Sequence, residues 1–144
     1  MARTLTAADT VIILTVPLVF PSGFQLQGFS TDDIYEAADI DIAETMMGVD
    51  GKLSAGFVPK EVAWTVTLQA DSESNDNFEQ WYASQQTNNA VYRASGIVSL
   101  EATTRKYNMK NGVMTRYSPM PKGGKVLQPR KYTITFESVL PAPI

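Results

Sequence analysis

A strict two-residue alternation runs through positions 61–70 of this 144-residue chain. One series of positions is apolar throughout, and it consists of Val62, Trp64, Val66, Leu68 and Ala70. The intervening positions are mostly polar: Glu61, Ala63, Thr65, Thr67 and Gln69. Because successive side chains of a β-strand point to opposite faces of the sheet, this pattern predicts a strand with one buried face.

Three further stretches have the pattern of strands. Val11–Phe20 is apolar but about half as long as a bilayer-spanning helix, so we expect a buried strand and no stable membrane insertion. Tyr35–Met47 alternates so that Asp39 and Asp41 share one acidic face. Arg130–Leu140 alternates as a final strand. These stretches indicate a mainly β protein.

A turn signal follows the second of these strands. Gly48–Gly51 contains two glycines and an aspartate, which are typical of a tight turn, and it predicts a long hairpin. The tip of this hairpin is unusually apolar, since it contains Met46, Met47 and Val49.

The dipeptide Asn111-Gly112 is a second turn signal. Both central positions of a type I′ turn need positive φ, and Asn-Gly suits that need. It predicts a hairpin within Tyr107–Tyr117 that pairs Lys110 with Val113 and Met109 with Met114.

One helix is predicted, from Ser74 to Asn89. Phe78, Trp81 and Tyr82 recur at helical spacing and form an aromatic stripe on one face. Such a stripe is typical of a helix that packs on a sheet, so we expect these three residues to be packing residues.

The predicted elements define the fold class. We expect a mainly β (α+β) fold, a β-sandwich or partly closed barrel of about seven strands, with one flanking α-helix and a long protruding hairpin. The length fits a single domain over residues 1–144.

Composition excludes many kinds of chemistry. The chain has no Cys and no His, so it lacks disulfides, thiol nucleophiles, imidazole bases and the common zinc ligands. An acidic run could suggest a calcium site or an acid–base pair, and it comprises Asp32, Asp33, Glu36, Asp39, Asp41 and Glu44. It does not fit an EF-hand loop, and Gly123-Gly124-Lys125 does not complete a phosphate-binding loop. We therefore predict no enzyme and no catalytic, cofactor or metal site.

Charge is divided unevenly along the chain. Residues 1–90 hold thirteen acidic and three basic side chains, a net charge of −10, whereas residues 91–144 hold two acidic and nine basic ones, a net charge of +7. This division indicates nucleic-acid binding, attraction between copies of the chain, or two surfaces that cancel within one fold. The basic half also contains Tyr92, Tyr107, Tyr117 and Tyr132, so a small β-barrel nucleic-acid-binding module is one alternative.

The order of these elements resembles the tail tube proteins of contractile-tailed bacteriophages, whose fold is shared with the type VI secretion tube protein. The resemblance is carried by the hairpin segment 46–59, the strand and acidic turn that follow it, the single helix, and the segment 108–115. It covers residues 34–140, and none of its motifs is catalytic.

The resemblance implies a structural virion protein that forms hexameric rings, stacked into a tube through which DNA is ejected without specific binding. It implies a negative lumen lined by Asp39 and Asp41. The hairpin would supply contacts between rings or subunits, through Met46, Met47, Val49, Asp50, Lys52, Leu53 and Phe57. The implied partners are further copies of the chain and sheath, baseplate and tail-terminator proteins, and the implied location is the virion tail, after synthesis in the host cytoplasm. A type VI-like secretion tube or a baseplate component remains an alternative.

Overall fold

The structure is a computed structural model that describes residues 10–29 and 34–143. Residues 1–9 of the predicted domain, and Asp32 and Asp33 of the acidic run, lie outside the described residues. The strands are β1 (Thr10–Val16), β2 (Phe20–Gln25), β3 (Tyr35–Ala37), β4 (Ala43–Met47), β5 (Leu53–Phe57), β6 (Val62–Leu68), β7 (Ala94–Leu100), β8 (Arg105–Arg116) and β9 (Arg130–Pro143). The helix α1 spans Ser74–Asn88, and a 3-10 turn at Glu101–Thr103 joins β7 to β8.

Seven of the strands form one antiparallel sheet in the order β2-β1-β7-β8-β9-β6-β3. A bridge between Phe29 and Leu68 links the segment after β2 to β6. The backbone N–H of Gln69 also donates to the carbonyl oxygen of Gly28, at 2.8 Å. The sheet therefore curls towards a barrel without closing, and the prediction of a β-rich fold with one flanking helix is confirmed.

The helix covers one face of the sheet through aromatic side chains. Phe78 and Trp81 are fully buried. The ring of Phe78 stacks on that of Tyr132 in β9, with 4.2 Å between centroids. Tyr82 lies at the margin of this contact, where its ring stacks on Tyr117 with the same centroid separation. Helix packing thus fixes the position of β9 and of the residues that precede it.

The prediction of a hairpin at Asn111-Gly112 is wrong. Asn111 does have a positive φ of 51°, but β8 continues through it as one strand. The extra residue forms a bulge opposite β7, where Ala94 pairs with Gly112 and Gly96 pairs with Met109. The strands β7 and β9 flank β8 on both sides. The backbone of β8 therefore forms its hydrogen bonds with these two strands and does not fold back on itself as a hairpin.

Two predicted strands are shorter than expected. The N-terminal one ends at Val16, and Phe20 begins β2 after the turn that contains Pro17. The predicted strand Tyr35–Met47 is interrupted, because 38–42 has no regular structure between β3 and β4. The buried face predicted for β6 is confirmed, since Val62, Trp64, Val66 and Leu68 are buried. The strand β1, predicted to be buried, has Ile12, Leu14 and Val16 in the core and Ile13 exposed.

Candidate assembly surfaces

The hairpin formed by β4 and β5 stands apart from the main sheet. The two strands pair only with each other, from Ala43–Phe57 to Met47–Leu53. Every residue from Glu36 to Phe57 is exposed. We call residues 42–58 the arm, because they extend the chain away from the core.

The register of the arm divides its side chains into two unlike faces. One face, the apolar face, consists of Ala43, Thr45, Met47, Leu53, Ala55 and Phe57. The opposite face carries Glu44, Met46, Ser54 and Gly56. On the apolar face Met47, Leu53 and Phe57 are 64%, 62% and 79% exposed. Met46 and Met47 therefore point in opposite directions, although the sequence places them together.

The tip of the arm is shaped by backbone geometry. The side chain of Asp50 accepts a hydrogen bond from the backbone N–H of Lys52 at 3.1 Å. Gly51 has a φ of 83°, which favours glycine. Val49 is fully exposed beside them. Asp50 and Lys52 thus hold the turn in shape, and Val49 projects from it.

Asp39 and Asp41 do not lie on a strand. Both are exposed in the irregular segment between β3 and β4, at the base of the arm. The sheet alternation that would have put them on one face is absent there. Their role as lumen residues stays a prediction.

A second apolar surface lies just beyond Leu68, the last residue of β6. Its two walls are Gln69–Asp71 after β6 and Val126, Leu127 and Pro129 before β9, and they enclose a groove of about 540 Å³. Val126 and Leu127 are 73% and 57% exposed. The same loop carries exposed Lys122 and Lys125. The sequence analysis did not predict this groove, because its two walls come from segments that are far apart in the chain. A local signal for it was the apolar pair Val126-Leu127, which lies in a loop rich in proline and glycine.

Arg130 holds the loop 118–129, which we call the groove loop, against the helix. Its side chain is 4% exposed, and its Nη1 donates to Glu79 Oε1 at 2.8 Å. Its Nη2 donates to the carbonyl oxygen of Ser118 at 2.5 Å. The guanidinium also lies 5.4 Å from the ring centre of Tyr132. One buried cation therefore joins α1, the groove loop and β9.

The charge state of this cluster favours its hydrogen bonds. Burial acts to lower the pKa of Arg130, but the hydrogen bond to Glu79 and the nearby Tyr132 outweigh it, and the net pKa is raised. For Tyr132 burial has the opposite effect and raises the pKa of the hydroxyl, which donates a hydrogen bond to Asn75 Oδ1 at 3.0 Å. Arg130 stays charged and Tyr132 stays neutral over the ordinary pH range.

Replacing Arg130 with alanine is expected to lower the free energy of unfolding by about 2–3 kcal/mol, because it removes a buried side chain and its charge-assisted hydrogen bonds. Urea denaturation followed by circular dichroism measures the change. Lys131→Ala is the matched control, since Lys131 is exposed and its loss should cost at most about 0.5 kcal/mol. Equal losses in both variants would show that Arg130 does not hold the loop.

The described residues show no group of three or more acidic side chains placed to hold a metal ion. Within residues 10–29 and 34–143, no helix has the length and apolarity needed to cross a membrane. The arm and the groove carry exposed apolar side chains, and each offers a surface for contact with another chain.

The fold is that of tube and terminator proteins of contractile injection systems. The chain is similar to the sheath/tube terminator of an extracellular contractile injection system, PVC, in its extended state, with a TM-score of 0.71 at 12% identity over 99% of each chain. It is similar to a chain of the PVC sheath–tube complex, with a TM-score of 0.66 at 12% identity over 98% of this chain and 93% of that one. It is also similar to the tube-terminating cap of the anti-feeding prophage, with a TM-score of 0.64 at 12% identity over 100% and 94%.

The family is defined by sequence. Residues 3–140 match the family described as tail fiber protein gp32, and the chain belongs to that family. No curated protein matches the chain. Family and fold together define a structural protein of a phage-type tail, which agrees with the tail tube resemblance found in the sequence.

Proposed function

We propose that this chain is a self-assembling subunit of a contractile tail tube, in which hexameric rings stack into a conduit for DNA ejection. The observation that carries the proposal is the arm, whose apolar face is exposed along its whole length. A monomer gains nothing from presenting three large apolar side chains to water, whereas an assembly buries them. The subunit acts by contact and has no catalytic role.

The proposal assigns roles to the candidate residues. The arm, including Met46, Met47 and Leu53, contacts neighbouring copies, and Asp50 with Lys52 keeps its tip in shape. Asp39 and Asp41 give the conduit negative charge, so that DNA slides without specific binding. Sheath, baseplate and terminator proteins are the proposed partners, and the virion tail is the proposed location.

The nucleic-acid-binding alternative is weakened by the tyrosines. Tyr92 and Tyr132 are buried, and Tyr117 is stacked on Tyr82. Stacking of bases needs exposed aromatic faces. Of the four tyrosines in the basic half, only Tyr107 remains for that use, and one half-buried ring is a poor platform.

A tube-terminating ring is the second candidate. Two of the similar structures are described as a terminator and a cap. A terminator of the same fold would form single rings that do not stack on themselves. The number of rings in each particle therefore separates the two candidates.

Negative-stain electron microscopy of the purified chain at high concentration, with mass from light scattering, tests the proposal. We expect hollow tubes or stacked annuli and a mass many times that of the 15.8 kDa monomer. Isolated rings would favour the terminator. A monomer at every concentration would contradict self-assembly, and salt-dependent DNA binding by that monomer would favour the nucleic-acid module.

A further inference from the structure

The arm and the groove lie at opposite ends of one strand. The arm leads into the first residue of β6, Val62, whereas the groove begins directly after the last, Leu68. At about 3.3 Å per residue, β6 separates them by about 20 Å. In this structure the arm leaves the groove of its own copy open, since Met47, Leu53 and Phe57 of the arm stay exposed. The arm of a second copy can therefore meet that groove along the strand direction.

The two surfaces are complementary in polarity. The apolar face of the arm offers Met47, Leu53 and Phe57, and the groove offers Val126 and Leu127. Each surface is exposed in the subunit. Placed together, they would remove large apolar side chains from water, which favours association.

The two surfaces are also complementary in charge. The arm, residues 42–58, holds two acidic side chains, Glu44 and Asp50, and one basic one, Lys52. The groove loop, 118–129, holds Lys122 and Lys125 and no acidic side chain. Opposite charges around an apolar contact steer association and fix its register. Asp71, on the other wall of the groove, is the one acidic side chain that opposes this attraction.

The arm needs such an acceptor for its own stability. A two-stranded hairpin that packs on nothing is marginally stable in water. The arm is a two-stranded hairpin of this kind, with open space around Gly51 and Gly56. A groove on a second copy would supply the packing that the first copy lacks.

We propose that the groove between Gln69–Asp71 and the loop 118–129 is the acceptor for the apolar face of the arm of a second copy. The inference rests on the proposed tube, because it names the surface through which copies join head to tail. Such a heterologous contact uses two different patches and so repeats without limit.

Disulfide trapping between two single-cysteine variants tests the contact. The chain has no native cysteine, so each variant carries one thiol only. Leu53→Cys or Phe57→Cys is mixed with Leu127→Cys at high concentration and oxidised gently. We expect a covalent heterodimer on a non-reducing gel, because the paired Cα atoms would come within disulfide range, about 4.4–6.8 Å.

The control thiols lie nearby but face elsewhere. Ser54→Cys is adjacent to Leu53 on the opposite face of the arm, and Leu18→Cys is an exposed site in the turn between β1 and β2. We expect roughly fivefold less heterodimer from Ser54→Cys with Leu127→Cys, and from Leu53→Cys with Leu18→Cys, because disulfides need specific geometry.

The outcomes separate this inference from the proposed function. Tubes in the microscope without heterodimer above the controls would overturn the acceptor assignment and leave the tube standing. A specific heterodimer without rings or tubes would support the acceptor and contradict the tube. Neither tubes nor heterodimer would overturn both.

Discussion

Replacing Leu53 or Phe57 with aspartate is expected to abolish assembly and to leave the subunit folded. Both side chains are exposed on the apolar face of the arm, so their change costs the isolated subunit little. In an assembly the same positions would be covered, and a buried unpaired carboxylate is strongly unfavourable. With the lost apolar burial, we expect a weakening of association of about 100-fold or more. Sedimentation velocity and negative-stain microscopy measure it.

The matched control for this prediction is Ser54→Asp. It adds the same charge to the same arm, but on the opposite face, where Glu44 already lies. We expect this variant to assemble nearly as the parent chain does. If Leu53→Asp, Phe57→Asp and Ser54→Asp all form normal tubes, the arm is not an assembly element. If all three variants fail equally, the division of the arm into two faces has no role in assembly.

Replacing Gly112 with valine is expected to lower the free energy of unfolding by about 3 kcal/mol, because it overpacks the core. A Cβ atom at this position would lie 2.4 Å from Cδ1 of Phe136 and 3.0 Å from Cγ2 of Ile134. Phe136 and Ile134 are both fully buried in β9, so neither ring nor methyl group has room to move away. Urea denaturation followed by tryptophan fluorescence measures the loss.

Gly56→Ala is the comparison for Gly112. Gly56 also lies in a strand, but a Cβ atom there would meet nothing within 4 Å. We expect a change of at most about 0.5 kcal/mol at this site. A Gly112 variant as stable as the parent would mean that β8 and β9 lie further apart than in this structure.

The strands with one buried face were predictable because their pattern is local. Alternation in 61–70 and 130–140 is sufficient to predict β6 and β9, and the spacing of Phe78 and Trp81 is sufficient to predict α1. The hairpin predicted from Asn111-Gly112 was wrong because the same dipeptide fits both a type I′ turn and a bulge. The choice between them depends on β7 and β9, which lie beside β8 in space, and no local rule contains that information.

The candidate surfaces were predictable to a smaller extent. The apolar content of the arm can be read from Met46, Met47 and Val49, but its division into faces depends on the pairing of Met47 with Leu53. The groove could not be predicted, because Ala70 and Leu127 become neighbours only when β6 pairs with β9. No sequence motif predicts the burial of Arg130, because that burial depends on the packing of α1.

The arm is joined to the main sheet by short segments that belong to no strand. Its own ladder ends where the N–H of Val58 donates to the carbonyl oxygen of Ile42, at 2.9 Å. The main sheet begins again where the N–H of Ala38 donates to the carbonyl oxygen of Ala63, also at 2.9 Å. Residues 39–41 and 59–61 lie between these two points, so neither set of hydrogen bonds fixes the angle between the arm and the main sheet. A filament of such subunits would flex at the joints between rings, and each subunit would keep its core rigid while the whole tail curved.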